Sequence, residues 1–199
     1  MTDKVDRLLN GVYDTLHWAE NCWEVWWLYV GEDTPPELRS ILERFHAALE
    51  VPRFALFTTT IVNIGKLYDK RHGSVSIRRL IEAARASGRF QPVLLDALDA
   101  HLRKGEERAE PIKRIRNSRV AHDVLEPDER AILADASVAY SDVEEVLKIS
   151  RTLVDSVSAA LNVGFSLGHP ADAHRKMWQS LLQESLTRHS RNQTGAMPS

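Results

Sequence analysis

Val5, Leu9, Val12, Leu16, Ala19, Trp23, Trp26 and Val30 follow one another at alternating steps of four and three residues. That spacing keeps one face of a helix apolar over roughly seven turns. Trp18, Cys22, Val25 and Tyr29 lay a second apolar strip beside the first. A helix apolar on two sides is either central to a fold or shared with a partner subunit. Its tryptophans could stack on nucleic-acid bases, but their place on the seam points to core packing. Cys22, the one cysteine, sits among them and reads as a buried, inert thiol.

The remainder of the chain breaks into helices of the same kind. GEDTPPEL ends the first, and a second is predicted from about Pro36 to Leu49, with proline tolerated in its first turn. Pro52 is read as the start of a third helix that ends near Gly73. Ser76 is the expected N-cap of SIRRLIEAARAS, which stops at Gly88. A helix over 92–104 is expected to break or kink at Gly105 and Pro111, and IKRIRNSRVAH is the next helical stretch. After EPDE, Ser141 and Glu144 suggest a capping box for a helix running to about Asn162. A last helix is predicted from Ala171 to about Arg188. No segment alternates as a strand does, and no repeat is visible. The chain reads as all-α, with a helical domain over 1–162, an appended C-terminal helix within 163–189, and a frayed tail over 190–199.

Hydrophobic residues make up 43% and charged residues 27% of the 199, with a net charge of -2. This is the balance of a globular protein, and it excludes a generally basic nucleic-acid coat. Contact with nucleic acid would need a local patch. No apolar run approaches a membrane span, and the N-terminal MTDKVDRLLN lacks signal-peptide architecture, so a cytoplasmic protein is expected.

The patch is IKRIRNSRVAHD, residues 112–123. With Ile112 set at 0° on a helical wheel of roughly 100° per residue, Ile115 falls at about 300°, Arg116 at about 40°, Arg119 at about 340° and His122 at about 280°. The isoleucines mark the inward face, and the cations share their arc. Lys113, Arg116, Arg119 and His122 also form one ridge of three-residue steps. A charge on an inward face must be paired or must line a polar cleft. Two readings follow. Glu106, Glu107, Glu110 and Asp123 are close enough in sequence to neutralise the cations in a structural network, or the cations form a site.

RNSRVAH carries the arginine, four-to-six residues, histidine signature of the HEPN superfamily. With GKLYDKRHGSVSIRRLI upstream, the chain over about residues 5–160 resembles the abortive-infection U-type (AbiU-like) branch of that superfamily. The resemblance implies an antiparallel helical bundle of HEPN type. It also implies a metal-independent endoribonuclease acting in toxin–antitoxin or phage defence, whose dimer joins two motifs in one cleft. Carried over residue by residue, Arg116 would bind and polarise the scissile phosphate, His122 would move protons during attack of the ribose 2′-OH, and Asn117 would position groups. Lys113, Arg119 and Asp123 are the further candidates for substrate contact. The chemistry suits the residue types. A histidine titrates near pH 6.5, and an arginine offers phosphate a planar fork. Asn117 projects at about 140° on a straight helix, so its role would need a distorted one. Some HEPN toxins carry a modifiable tyrosine two residues after the histidine, whereas this chain has Val124.

No cofactor is expected. Asp14-x-x-His17 and Glu43-x-x-His46 place a carboxylate and a histidine one turn apart, but a two-metal bundle site needs further carboxylates, and chance spacing on solvated faces is the simpler reading. His72, His101, Arg71, Arg78 and Arg79 are either an extended RNA-binding surface or ordinary solvated side chains. The expected partners are RNA, a second copy of the chain, and an antitoxin or other product of a neighbouring gene. The alternative function is a non-catalytic HEPN dimer acting as an RNA-, nucleotide- or protein-binding adaptor.

Overall fold

The computed structural model describes residues 3–31, 34–117, 129–164 and residue 180. Among the described residues there are seven helices and no strand: α1 Lys4–Val30, α2 Pro36–Arg44, α3 His46–Leu67, α4 Ile77–Ser87, α5 Pro92–Ile115, α6 Glu129–Asp135 and α7 Tyr140–Leu161. The expected C-terminal helix lies outside the described residues, Ser180 apart.

The seam of α1 is the spine of this all-α bundle. Val5, Leu9, Val12, Leu16, Ala19, Trp23 and Trp26 are all buried. Cys22 and Val25 of the second strip are buried too, while Trp18 stands 63% exposed. Burial pushes the Cys22 thiol pKa up, in keeping with an inert thiol. Asp3 caps the helix by accepting from the Val5 N–H and pairs with Arg89 just before α5.

The long helices run antiparallel, as their contacts show. On α1 and α3, the Thr60 hydroxyl donates to the Ala19 carbonyl, and the Trp26 ring meets Phe57. On α1 and α7, Glu20 pairs with Arg151, and Trp26 packs on Tyr140. On α5 and α7, Lys104 pairs with Glu145 and Arg108 with Asp142. Trp23, Trp26, Trp27 and Tyr140 form one aromatic cluster, with Trp23 and Trp26 buried, so three of the α1 tryptophans serve packing.

Several boundaries differ from the sequence reading. The second helix stops at Arg44, and α3 begins at His46 and carries Pro52 inside it. Proline leaves the Ala48 carbonyl without its helical donor, but both residues are exposed and water can take that place. Helix α3 ends at Leu67, short of Gly73, which lies in the following turn with φ 88°. Ser76 occupies the N-cap of α4 without a side-chain cap bond, and Gly88 ends that helix at φ 65° as expected. Neither Gly105 nor Pro111 interrupts α5. The short α6 starts at Glu129, the last residue of EPDE, where the sequence reading placed no helix. Helix α7 starts one residue before Ser141, and the Asp142 carboxylate, not a Ser141–Glu144 box, accepts from the Ala139 N–H at 2.8 Å.

Gly105 stays helical because a neighbour needs its missing side chain. The ring of Tyr68, just past α3, lies across Gly105, and a Cβ there would stand 2.8 Å from Cζ and Cε1. The Tyr68 hydroxyl hydrogen-bonds Ser150 of α7 at 2.9 Å, while Ser150 donates to the Val146 carbonyl. One buried tyrosine thus ties α3, α5 and α7 together.

Two stability predictions follow from that contact. Gly105→Ala adds helix propensity worth about 1 kcal/mol, but overpacks a ring that its hydrogen bond holds in place, at a cost of about 1–3 kcal/mol. A lower urea midpoint is therefore expected, and an unchanged or higher one would show that Tyr68 yields. Burial pushes the Tyr68 pKa from 10.0 up to about 12. The fold thus favours the neutral phenol. That contribution is complete below pH 10 and is lost as pH rises through 12. Tyr68→Phe should be about 1 kcal/mol less stable than wild type at pH 9. The gap should close by pH 11.5 in urea titrations, and a constant gap would refute the linkage.

Candidate functional site

The C-terminal turns of α5 carry the basic stretch. Ile112 and Ile115 are buried at 0% and 1% exposure, so the inward face is where their spacing put it. Lys113 and Arg116 are half-buried beside that face, and Asn117 is exposed. The helix widens into a π-type turn at Arg116 and Asn117, and the Arg116 N–H is shared between the Ile112 and Lys113 carbonyls. Wider turns of this kind recur at functional positions.

The distortion bears on Asn117. Side chains one residue apart diverge on a regular helix. Here the Arg116 Nε–H donates to Asn117 Oδ1 at 3.0 Å. The two residues that the sequence placed on different arcs are joined. Arg116 is also held from below. Its side chain lies on the backbone of α3 at Gly65, where a Cβ would stand 2.6 Å from Nη1 and 2.7 Å from Cδ.

The neighbouring cations behave differently. Lys113 donates to Glu110 at 2.8 Å, and that contact holds the Glu110 carboxyl pKa below its usual range. Glu106 accepts from Arg78 Nη2 at 2.6 and 2.7 Å and from its Nε at 2.9 Å, with Lys70 at 3.8 Å. Arg79 meets Glu82 and His72. A structural network therefore exists, but it engages Lys113 and the α4 arginines. Among the described residues Arg116 has no carboxylate partner. Arg119, His122 and Asp123 lie outside the described residues.

The chain is anchored on both sides of that stretch. Before it, Arg116 rests on Gly65 of α3. After it, Glu129, 3% exposed, accepts from Arg53 Nε of α3 at 2.9 Å. Twelve residues of α3 separate the two anchors, about 18 Å at 1.5 Å per residue.

Sequence reasoning missed the part of two residues here. Gly65 and Tyr68 help set where α5 stands, yet neither carries a motif's chemistry, whereas Glu106 was among the carboxylates expected to neutralise cations and does so for Arg78 and Lys70. The available signal was Gly65 itself, because a glycine within a good helical pattern usually answers to a packing need.

The Glu43-x-x-His46 pair lies elsewhere, lining a cavity of about 420 Å³ together with Trp26, Arg39, Arg53 and Glu129. His17 of the other pair stacks on Tyr13. No cluster of three metal-ligating side chains occurs among the described residues. None of the described helices is long and apolar enough to cross a membrane.

Removing Arg53 would leave a buried carboxylate alone. Arg53→Met should cost on the order of 3 kcal/mol, whereas Arg85→Met, which breaks the exposed pair with Asp99, should cost less than about 1. Equal shifts of thermal midpoint in the two variants would contradict the anchoring role.

The AbiU2 family model, from the HEPN group, matches residues 2–181. No curated protein and no solved structure matches the chain.

Proposed function

The chain belongs to the AbiU2 family of HEPN proteins, and on that premise we propose that it is a metal-independent endoribonuclease serving as a toxin or phage-defence effector. The observation that carries the reading is the state of Arg116. Arg78, Arg85, Arg108 and Lys113 each meet a carboxylate. Arg116 meets none among the described residues, is half-buried, and opens the R-N-x4-H motif.

In this mechanism the Arg116 guanidinium binds the scissile phosphate and stabilises the charge that grows on its oxygens. His122 accepts the proton of the ribose 2′-OH as that oxygen attacks phosphorus. The bond to the 5′ oxygen of the next nucleotide breaks, and that oxygen takes a proton. The products are a 2′,3′-cyclic phosphate and a 5′-hydroxyl end. Acid and base are needed in one step, so the His122 of a second subunit supplies the other role across a homodimer cleft. Arg119 and Lys113 add phosphate contacts. The Lys113–Glu110 pair joins neighbours three residues apart with its carboxylate exposed, a kind worth about 0–1 kcal/mol, so phosphate can displace it. Asp123 orients the substrate or the imidazole, and Asn117 holds Arg116. A neighbouring-gene antitoxin would restrain the activity.

The test is RNA cleavage by the purified chain in EDTA. Cleavage should persist, leave 2′,3′-cyclic ends, and fall by about 10²–10⁴-fold in both Arg116→Ala and His122→Ala. A folded protein that cleaves no RNA would transfer the reading to a non-catalytic adaptor. Equal cleavage by wild type and both variants would place the activity elsewhere.

A further inference from the structure

The geometry points to Gly65 as the positioning residue for Arg116, a seat on α3 without a side chain that fixes where the phosphate-binding guanidinium stands. The inference rests on the ribonuclease reading and adds to it a residue outside the motif.

Gly65 is buried in regular helix, and its φ is not among the positive values found at Gly73 and Gly88. The backbone there would accept any L residue, and alanine would favour the helix more. What excludes a side chain is Arg116. An ideal Cβ would stand 2.6 Å from Nη1, 2.7 Å from Cδ and 3.1 Å from Cζ. The aliphatic stem and one arm of the guanidinium therefore lie directly on the α3 backbone.

Two holds then determine the orientation. Gly65 supports the Cδ and Nη1 side, and Asn117 Oδ1 takes the Nε–H at 3.0 Å. With Nε engaged, the fork left to a ligand is the one formed by Nη1 and Nη2. Two parallel N–H bonds from that end of the group match a phosphate. The seat is itself fixed, because Tyr68, nearly one turn further along, locks the end of α3 against Gly105 and Ser150. Lys70 and Arg78 converge on Glu106 of α5 beside that lock.

Alanine at 65 would push the arginine, not the helix, because the crowded atoms belong to a long flexible side chain. A displacement of about 1 Å at a reacting group can cost on the order of 10²-fold in rate. Gly65→Ala should therefore fold, with a thermal midpoint no lower than wild type, and cleave RNA about 10–100-fold more slowly.

The decisive experiment is a double-mutant cycle read in binding of an uncleavable 2′-O-methyl RNA. Wild type, Gly65→Ala, Arg116→Ala and the double variant are compared, alongside the arginine Nε–H NMR resonance assigned by its loss in Arg116→Ala. Expected are about tenfold weaker binding on Gly65→Ala in the wild-type background, less than about twofold further loss in the Arg116→Ala background, and a shifted Arg116 resonance. Equal losses in both backgrounds, or an unmoved resonance, overturn the seat. Wild type that shows the cycle in binding yet cleaves no RNA sinks the ribonuclease reading and leaves the seat standing. Should Gly65→Ala fail to fold, Asn117→Ala on the exposed side removes the second hold. It should move the same resonance, and no movement counts against the arrangement.

Discussion

The Tyr68 hydroxyl reaches Ser150 on α7 because Gly105 of α5 has no side chain in its way. Three helices meet at that bond, and a buried phenol has to satisfy its O–H somewhere. Tyr68 follows α3 immediately, so fixing its ring also fixes the last turn of that helix, where Gly65 sits. The position of Arg116 is thus inherited from packing that lies outside the motif. The end of α5 is placed by an aromatic ring packed against the middle of that helix.

Charge is arranged with the same economy. Glu106 gathers Arg78 and Lys70, Glu110 holds Lys113, and Glu129 holds Arg53. These cations are paired locally, whereas Arg116 has no carboxylate partner among the described residues. The upstream LYDK and SIRRLI segments, which carry much of the family resemblance, supply Tyr68, Lys70 and Arg78. Their contribution here is to position α5, since Arg78 spends its Nε and Nη2 on Glu106.

The helices of the bundle were legible because their apolar spacing is strong. The seam of α1 and the Ile112–Ile115 pair are buried as the periodicity requires. Gly105 and Pro111 were misread as breaks in α5 because local propensity carries no knowledge of Tyr68 or of water at an exposed carbonyl. Pro52 was misread in the same way. The half-buried place of Arg116 followed from wheel arithmetic. Its contact with Asn117 did not, since a regular wheel cannot anticipate a widened turn. The seat at Gly65 was invisible for a different reason: its meaning lies in a residue far along the chain, and one sequence alone does not pair them.

The two anchors of the basic stretch both belong to α3, Gly65 under Arg116 and Arg53 against Glu129. A single unbroken helix therefore sets the chord between them, much as a ruler fixes two pins. Sliding or breathing of α1 and α7 leaves that chord unchanged, because neither helix supplies an anchor. The distance from Gly65 to Arg53 is therefore a property of α3 alone, whatever its neighbours do.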